Sequence, residues 1–201
     1  MPLSSPPRNL NSIPLSTRKV AVSTLFRISR HASGEPYFGK AGSNRFDDRA
    51  RGKARRYGTC YCGFDLETAI AETVLHDEIP TKGKFSIAYS DFASRNLVRF
   101  KGDALILANL TGPSLKTLGA DGSLSTIMPY PIPQLWSMAV HRHPQKVDGI
   151  LYMSRHLNDR MAVVVFDRAR HKLGSATYTA LPKARSVLNA IAELHISFDY
   201  P

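Results

Sequence analysis

Apolar positions along the chain form short clusters that change period from one segment to the next. Lys19–Ile28 (Lys-Val-Ala-Val-Ser-Thr-Leu-Phe-Arg-Ile) has the β-branched content of a strand, and Tyr57–Phe64 is a second candidate. From Leu66 to His76 the period becomes helical: Leu66, Ala69, Ile70, Val74 and the methyl of Thr73 form one stripe, and Asp65 is placed to cap it. Glu72 falls on the flank of that stripe. Strands are expected at 85–89 and 96–100, while 103–109 is apolar without a decisive period. Residues 112–125 carry several glycines and read as irregular or as a weak short helix. A helix opened by Pro133 spans 132–143, and a strand pair, 147–153 with 161–166, flanks a polar turn. A last helix is expected over 183–195. Strands interspersed with helices and irregular loops predict an α+β fold, a mixed or split β-sheet core with flanking helices.

Two segments lack a period. Residues 1–18 are rich in Pro, Ser and Asn and read as a flexible arm, leaving 19–201 as a single domain. Residues 31–56 are broken by four glycines and Pro36, yet hold Tyr37, Phe38 and Phe46 together with a run of arginines. A loop of that length in a compact domain is commonly functional, and its aromatics favour an ordered binding loop.

Charge is the strongest deviation in composition, a formal +11 at neutral pH. It is concentrated in Arg45, Arg49, Arg51, Lys53, Arg55 and Arg56, against only Asp47 and Asp48. Such a balance suits nucleic acid, an acidic protein or a phosphorylated small molecule, or serves solubility alone. Aromatic interleaving and zinc-finger spacing are both lacking, so direct nucleic-acid binding is not expected. The apolar runs are too short to span a bilayer, and the first residues do not form a secretory signal. Cys60 and Cys62 are the only cysteines, which fits a reducing cytosol. We expect them to point to opposite faces, poorly placed to bridge, and to act as packing residues.

Against this background a few side chains could carry chemistry. Tyr61 ends a strand, and Glu72 follows eleven residues later on a helix. A lone helix glutamate is ordinarily a solvated surface group; beside an arginine-rich loop it could stabilise cationic charge that develops on a sugar carbon. Arg27, inside an apolar strand, needs an anion: a structural partner such as Glu72 or Asp148, or a bound diphosphate that a guanidinium fork would grip. Arg45 is a second clamp, expected at a more exposed loop position. Tyr57 and Tyr61 share a strand face; one or both pack in the core, or a ring stacks on a base. Ser154 sits at a strand end without a nucleophile elbow, so positioning a phosphate or ribose suits it better than serine hydrolysis. His141, His143 and His156 lack the spacing of zinc motifs, and no metal site is expected. The glycine-rich phosphate loops are absent.

Arg27 in Leu-Phe-Arg-Ile, the Asn44-Arg45-Phe46 loop, Tyr61 with Glu72, and Ser154 in Asp148-Gly-Ile-Leu-Tyr-Met-Ser resemble, in that order, the RES domain family, over about residues 20–170. The loop departs from the family's frequent Gly-Arg-Phe-Asn by carrying Asn44 and Asp47 at its ends. The resemblance implies a fold related to the ADP-ribosyltransferase toxins and a bacterial cytoplasmic protein that consumes NAD+ as substrate rather than holding a cofactor. It further implies a toxin neutralised by a cognate Xre-like antitoxin. In that reading Arg27 and Arg45 grip the diphosphate or an incoming phosphate, and Tyr61 meets the nicotinamide side. Glu72 orients the ribose and stabilises the transition state, while Ser154 and, more weakly, Tyr57 complete the pocket. The expected reaction cleaves the nicotinamide–ribose bond, with phosphate or water as acceptor. Its rivals are ADP-ribosyl transfer to a protein and, from a different class, a basic nucleic-acid-binding protein without activity.

Overall fold

The computed structural model describes residues 3–200. Its strands are β1 (Thr17–Val20), β2 (Arg27–Ser29), β3 (Thr59–Gly63), β4 (Phe85–Ala88), β5 (Asn96–Lys101), β6 (Leu105–Asn109), β7 (Gly149–Met153), β8 (Met161–Phe166), β9 (Ser175–Ala180) and β10 (Ile196–Asp199). The α-helices are α1 (Leu66–Thr73), α2 (Tyr89–Ala93), α3 (Gly112–Thr117), α4 (Ser123–Thr126), α5 (Pro131–Arg142), α6 (Arg170–Leu173) and α7 (Val187–Glu193). The fold is α+β with the sheet split, as the sequence predicts.

The larger sheet runs β1-β6-β7-β8-β3, antiparallel except for the parallel β6–β7 pair. Its centre, β7 and β8, is buried along nearly its whole length, which explains why these strands are continuous apolar runs. Ile150, Tyr152, Val164 and Phe166 face one core, where Trp136 of α5 packs. Leu151, Val163 and Val165 face a second core with Leu105, Leu107 and Val98. Cys60 and Cys62 both belong to that second core. The expectation that the two thiols point apart is therefore corrected: two residues make one full strand period, so they share a face.

A smaller antiparallel sheet runs β2-β5-β9, and β4 pairs in parallel with β10. The segment expected as one strand over Lys19–Ile28 is thus cut in two. A 3-10 turn at Val22–Thr24 sends β1 to β6 in the large sheet and β2 to β5 in the small one. A single bridge, Phe26 to Gly63, still ties the sheets together where they part.

Helix α1 covers this parting. Asp65 caps it as predicted, its Oδ1 accepting from the Thr68 amide at 2.7 Å. Gly63 lets the helix close on β3, because a Cβ there would sit 2.8 Å from the Ala69 nitrogen. Leu66, Thr68, Ala69, Ile70 and Ala71 are the buried residues of α1, whereas Thr73, expected in the stripe, is exposed. Helix α5 starts one residue earlier than expected, with Pro131 rather than Pro133 opening it.

The first eighteen residues do not form a free arm over the part described. Leu3, Leu10 and Leu15 are buried in the Trp136 core, and the Trp136 indole donates to the Ser4 carbonyl at 2.9 Å. Gln145 holds the Leu15 backbone at both its amide and its carbonyl. Composition suggested mobility here, but three leucines spaced along a polar stretch anchor it. Leu10→Ala should therefore cost about 2–4 kcal/mol, seen as a lower urea midpoint with an unchanged slope. An unaltered midpoint would mean the segment is not part of the cooperative core.

Candidate active site

A cavity of about 280 Å³ opens where β2 and β3 diverge, beneath the C-terminal half of α1. Arg27, Asn44, Arg45, Tyr61, Glu72, His76, Tyr130, Tyr152 and Arg155 are among its lining residues. Four of the six side chains singled out in the sequence, Arg27, Arg45, Tyr61 and Glu72, therefore meet there. Ser154 supports the site from behind, and Tyr57 lies elsewhere.

Glu72 is held, not free. Its Oε1 accepts the Ser154 hydroxyl at 2.6 Å and the Arg155 amide at 3.0 Å. Both bonds fall on one oxygen, which leaves Oε2 open. Ser154 is fully buried and also accepts from the amides of His156 and Leu157. It is absent from the cavity lining, so the expectation of a phosphate or ribose contact is corrected: the hydroxyl fixes the carboxylate.

Arg27 has found its anion, but neither of those anticipated. Its Nε pairs with Glu35 Oε2 at 2.8 Å, and an Nη donates to the Tyr61 carbonyl at 3.1 Å. Glu35 is almost wholly buried at 2% side-chain exposure and is fixed further by the amide of Tyr37. Asp148, the rival partner, is instead paired with Lys172. The Arg27–Glu35 pair leaves part of the guanidinium fork toward the cavity.

Arg45 is buried at 7% exposure, correcting the expectation of an exposed lid position. One Nη donates to the Ile127 carbonyl at 2.7 Å, and the guanidinium lies 4.6 Å from the Tyr130 ring centroid. Burial lowers its pKa from the usual arginine value, with Arg155 adding repulsion. Among the described residues no carboxylate lies within ion-pair distance of Arg45 or Arg155.

The loop 44–48 owes its shape to Asp47, which is 1% exposed. Asp47 accepts from the Asn44 amide, the Thr59 hydroxyl and the Tyr61 hydroxyl. The Tyr61 hydroxyl in turn accepts from the Phe46 amide at 3.0 Å. Burial, then the neighbouring Asp47 charge, pushes the Tyr61 phenol well above its ordinary pKa, so it stays a donor. With the hydroxyl and the carbonyl both engaged, the ring is the part of Tyr61 left for a ligand.

Tyr57 packs against the same core as Tyr61 but precedes it in the chain, before β3 begins, stacked on His141 at 3.9 Å and hydrogen-bonded to Ser137 at 2.8 Å. It does not line the cavity, and its proposed contact with substrate is corrected to a core role. Sequence reasoning missed Arg155, Tyr130, Tyr152 and His76. Arg155 and His76 neighbour residues already singled out, and that adjacency was the available signal. Tyr130 gave none.

A split α+β sheet with a basic, glutamate-bearing cavity at its parting defines the class of this protein. The RES domain family matches residues 24–185, and the chain belongs to that family. The fold is similar to that in the crystal structure of the M. tuberculosis MbcT–MbcA toxin–antitoxin complex, whose toxin it matches with a TM-score of 0.57 at 11% identity over 90% of each chain. No curated protein sequence matches it. Among the described residues no helix is long and apolar enough to cross a membrane.

Proposed function

We propose that this protein is the toxin of a toxin–antitoxin pair, acting as an enzyme that cleaves the nicotinamide–ribose bond of NAD+ with phosphate or water as acceptor. The observation that carries the reading is Arg45, a buried cation without a carboxylate partner, lining the same cavity as an oriented Glu72. Burying an uncompensated charge is costly, and an anionic ligand removes that cost. A cavity of about 280 Å³ sits at the lower limit for small-molecule sites. It suits the nicotinamide ribose half of the dinucleotide, with the adenosine half reaching outward along the basic 49–56 loop.

In this reading Arg27 and Arg45 grip the diphosphate, and Tyr61 and Tyr152 wall the nicotinamide side. As the C–N bond breaks, the electron pair leaves with nicotinamide and the ribose carbon becomes cationic. Glu72, with Oε2 unengaged, stabilises that charge or holds the ribose hydroxyls. Arg155, also without a carboxylate partner, offers a place for a second anion and favours phosphate as the acceptor. Incubating the purified protein with NAD+, with and without phosphate, and resolving the products tests this directly. Nicotinamide with ADP-ribose 1″-phosphate marks phosphorolysis, and nicotinamide with free ADP-ribose marks hydrolysis. Label retained on a protein would favour transfer instead, and unconsumed NAD+ would refute the reading.

The partner we propose is an acidic antitoxin of the Xre-like type that occludes the cavity. Exposed Arg49, Arg51, Lys53 and Arg55, on the loop that follows cavity-lining Arg45, present it with a complementary field.

A further inference from the structure

Glu72 is not the only polar side chain at the open end of the cavity. His76 follows it by one helical turn, and His156 arrives from the β7–β8 turn, far away in sequence. One ligand atom from each of Glu72, His76 and His156 lies within 4.8 Å of the others. The two imidazole rings stand 5.2 Å apart between centroids. His156 Nε2 is buried with no hydrogen-bond partner, an orphaned polar atom in an otherwise well-satisfied site. Glu72 keeps Oε2 open, since Ser154 and Arg155 both use Oε1.

We propose that Glu72, His76 and His156 form a binding site for a borderline divalent cation of the zinc class, which blocks the enzyme by sequestering the carboxylate. Two imidazoles and one carboxylate suit zinc, cobalt or nickel, and not the oxygen-seeking magnesium ion. Ligand atoms around zinc stand about 3.3 Å apart, so the side chains must close by about 1.5 Å. His76 can supply that movement, because its side chain is 39% exposed on the turn after α1. Arg45 and Arg155 oppose a cation, while Asp77 at the rim favours it. The site therefore takes its metal reversibly, in competition with an anionic substrate. The blocking effect rests on the proposed NAD+ chemistry, whereas metal binding does not.

The test uses tag-free protein stripped with chelator. Cobalt(II) titration should give visible d–d absorption saturating at one equivalent, displaced by zinc and indifferent to magnesium. His156→Gln and His76→Gln should each weaken binding by at least ~10-fold. Glu72→Gln should weaken it too without touching either imidazole, and melting curves establish that each variant is folded. Zinc should stop NAD+ loss by the parent, with chelator restoring it, while folded His156→Gln, whose altered side chain is absent from the cavity lining, should need at least ~10-fold more zinc for the same block. Cobalt binding unchanged by all three substitutions, or no saturable binding, overturns the site. Saturable binding without any loss of NAD+ turnover overturns the blocking role. Should the parent consume no NAD+, the cobalt titration still decides the site.

Discussion

Glu72→Gln should leave the protein folded and slow NAD+ consumption by about 10³-fold. The substitution is close to isosteric. The amide oxygen can still accept from the Ser154 hydroxyl and the Arg155 amide, so the local hydrogen bonds survive. What is lost is the negative charge in a cavity whose other fixed charges are mainly guanidinium groups. That charge matters little to a neutral ground-state ribose and much to a cationic one, so the loss should fall on kcat rather than KM. Ser154→Ala removes one of the two bonds that orient the carboxylate and should cost less, about 10–100-fold, because Glu72 keeps its charge. NAD+ loss measured under single-turnover conditions separates these cases. Equal rates for parent and Glu72→Gln would remove Glu72 from the mechanism.

Much of this arrangement was legible in the sequence wherever a side-chain period governed the backbone. Strands β7 and β8 and helix α1 announce themselves because burial on both faces, or on one stripe, leaves a continuous signature. Strand β10 does not. It is four residues long and is defined by pairing with β4, a partner remote in sequence. Strand β9 has no fully buried residue: its inward face is only half-buried, carried by Ala176 and Tyr178 among Ser, Thr and Ala, and so leaves no strong apolar period in the sequence. The Lys19–Ile28 segment has strand propensity throughout, and only the choice of two different sheets explains its break.

The site divides along the same line. Arg27, Arg45, Tyr61 and Glu72 could be selected as residue types whose chemistry suits an anion and a sugar, and they line one cavity. Their partners could not. Glu35 pairs with Arg27, and Asp47 binds Tyr61, from within a loop that has no period. Loop contacts of this kind depend on the closed tertiary structure. Ser154 illustrates the converse: its position was identified, but only the geometry reveals that it serves Glu72 and not a ligand.

Asp47→Ala should be among the most damaging single substitutions outside the apolar core, destabilising the fold by about 3–5 kcal/mol. The carboxylate is 1% exposed and accepts from the Asn44 amide at 3.0 Å, the Asn44 side-chain amide at 3.2 Å, the Thr59 hydroxyl at 2.6 Å and the Tyr61 hydroxyl at 3.1 Å. Alanine leaves the Tyr61 hydroxyl without its acceptor and the buried Thr59 hydroxyl with only a long 3.5 Å contact to the Gly39 carbonyl. Asn at this position keeps the shape but turns half of the acceptor into a donor facing other donors, so Asp47→Asn should lose an intermediate amount. Thr59→Val removes only one donor and should cost about 1 kcal/mol. The consequence reaches the cavity, because the loop fixed by Asp47 carries Arg45, and the Phe46 amide is tied to Tyr61. A folded Asp47→Asn protein, assayed well below its melting temperature, should therefore bind NAD+ more weakly even though Asp47 does not line the cavity. Urea midpoints for the parent, Thr59→Val, Asp47→Asn and Asp47→Ala should fall in that order. Coinciding midpoints would show that the loop is held by its apolar anchor, Phe46, and that the buried carboxylate is dispensable.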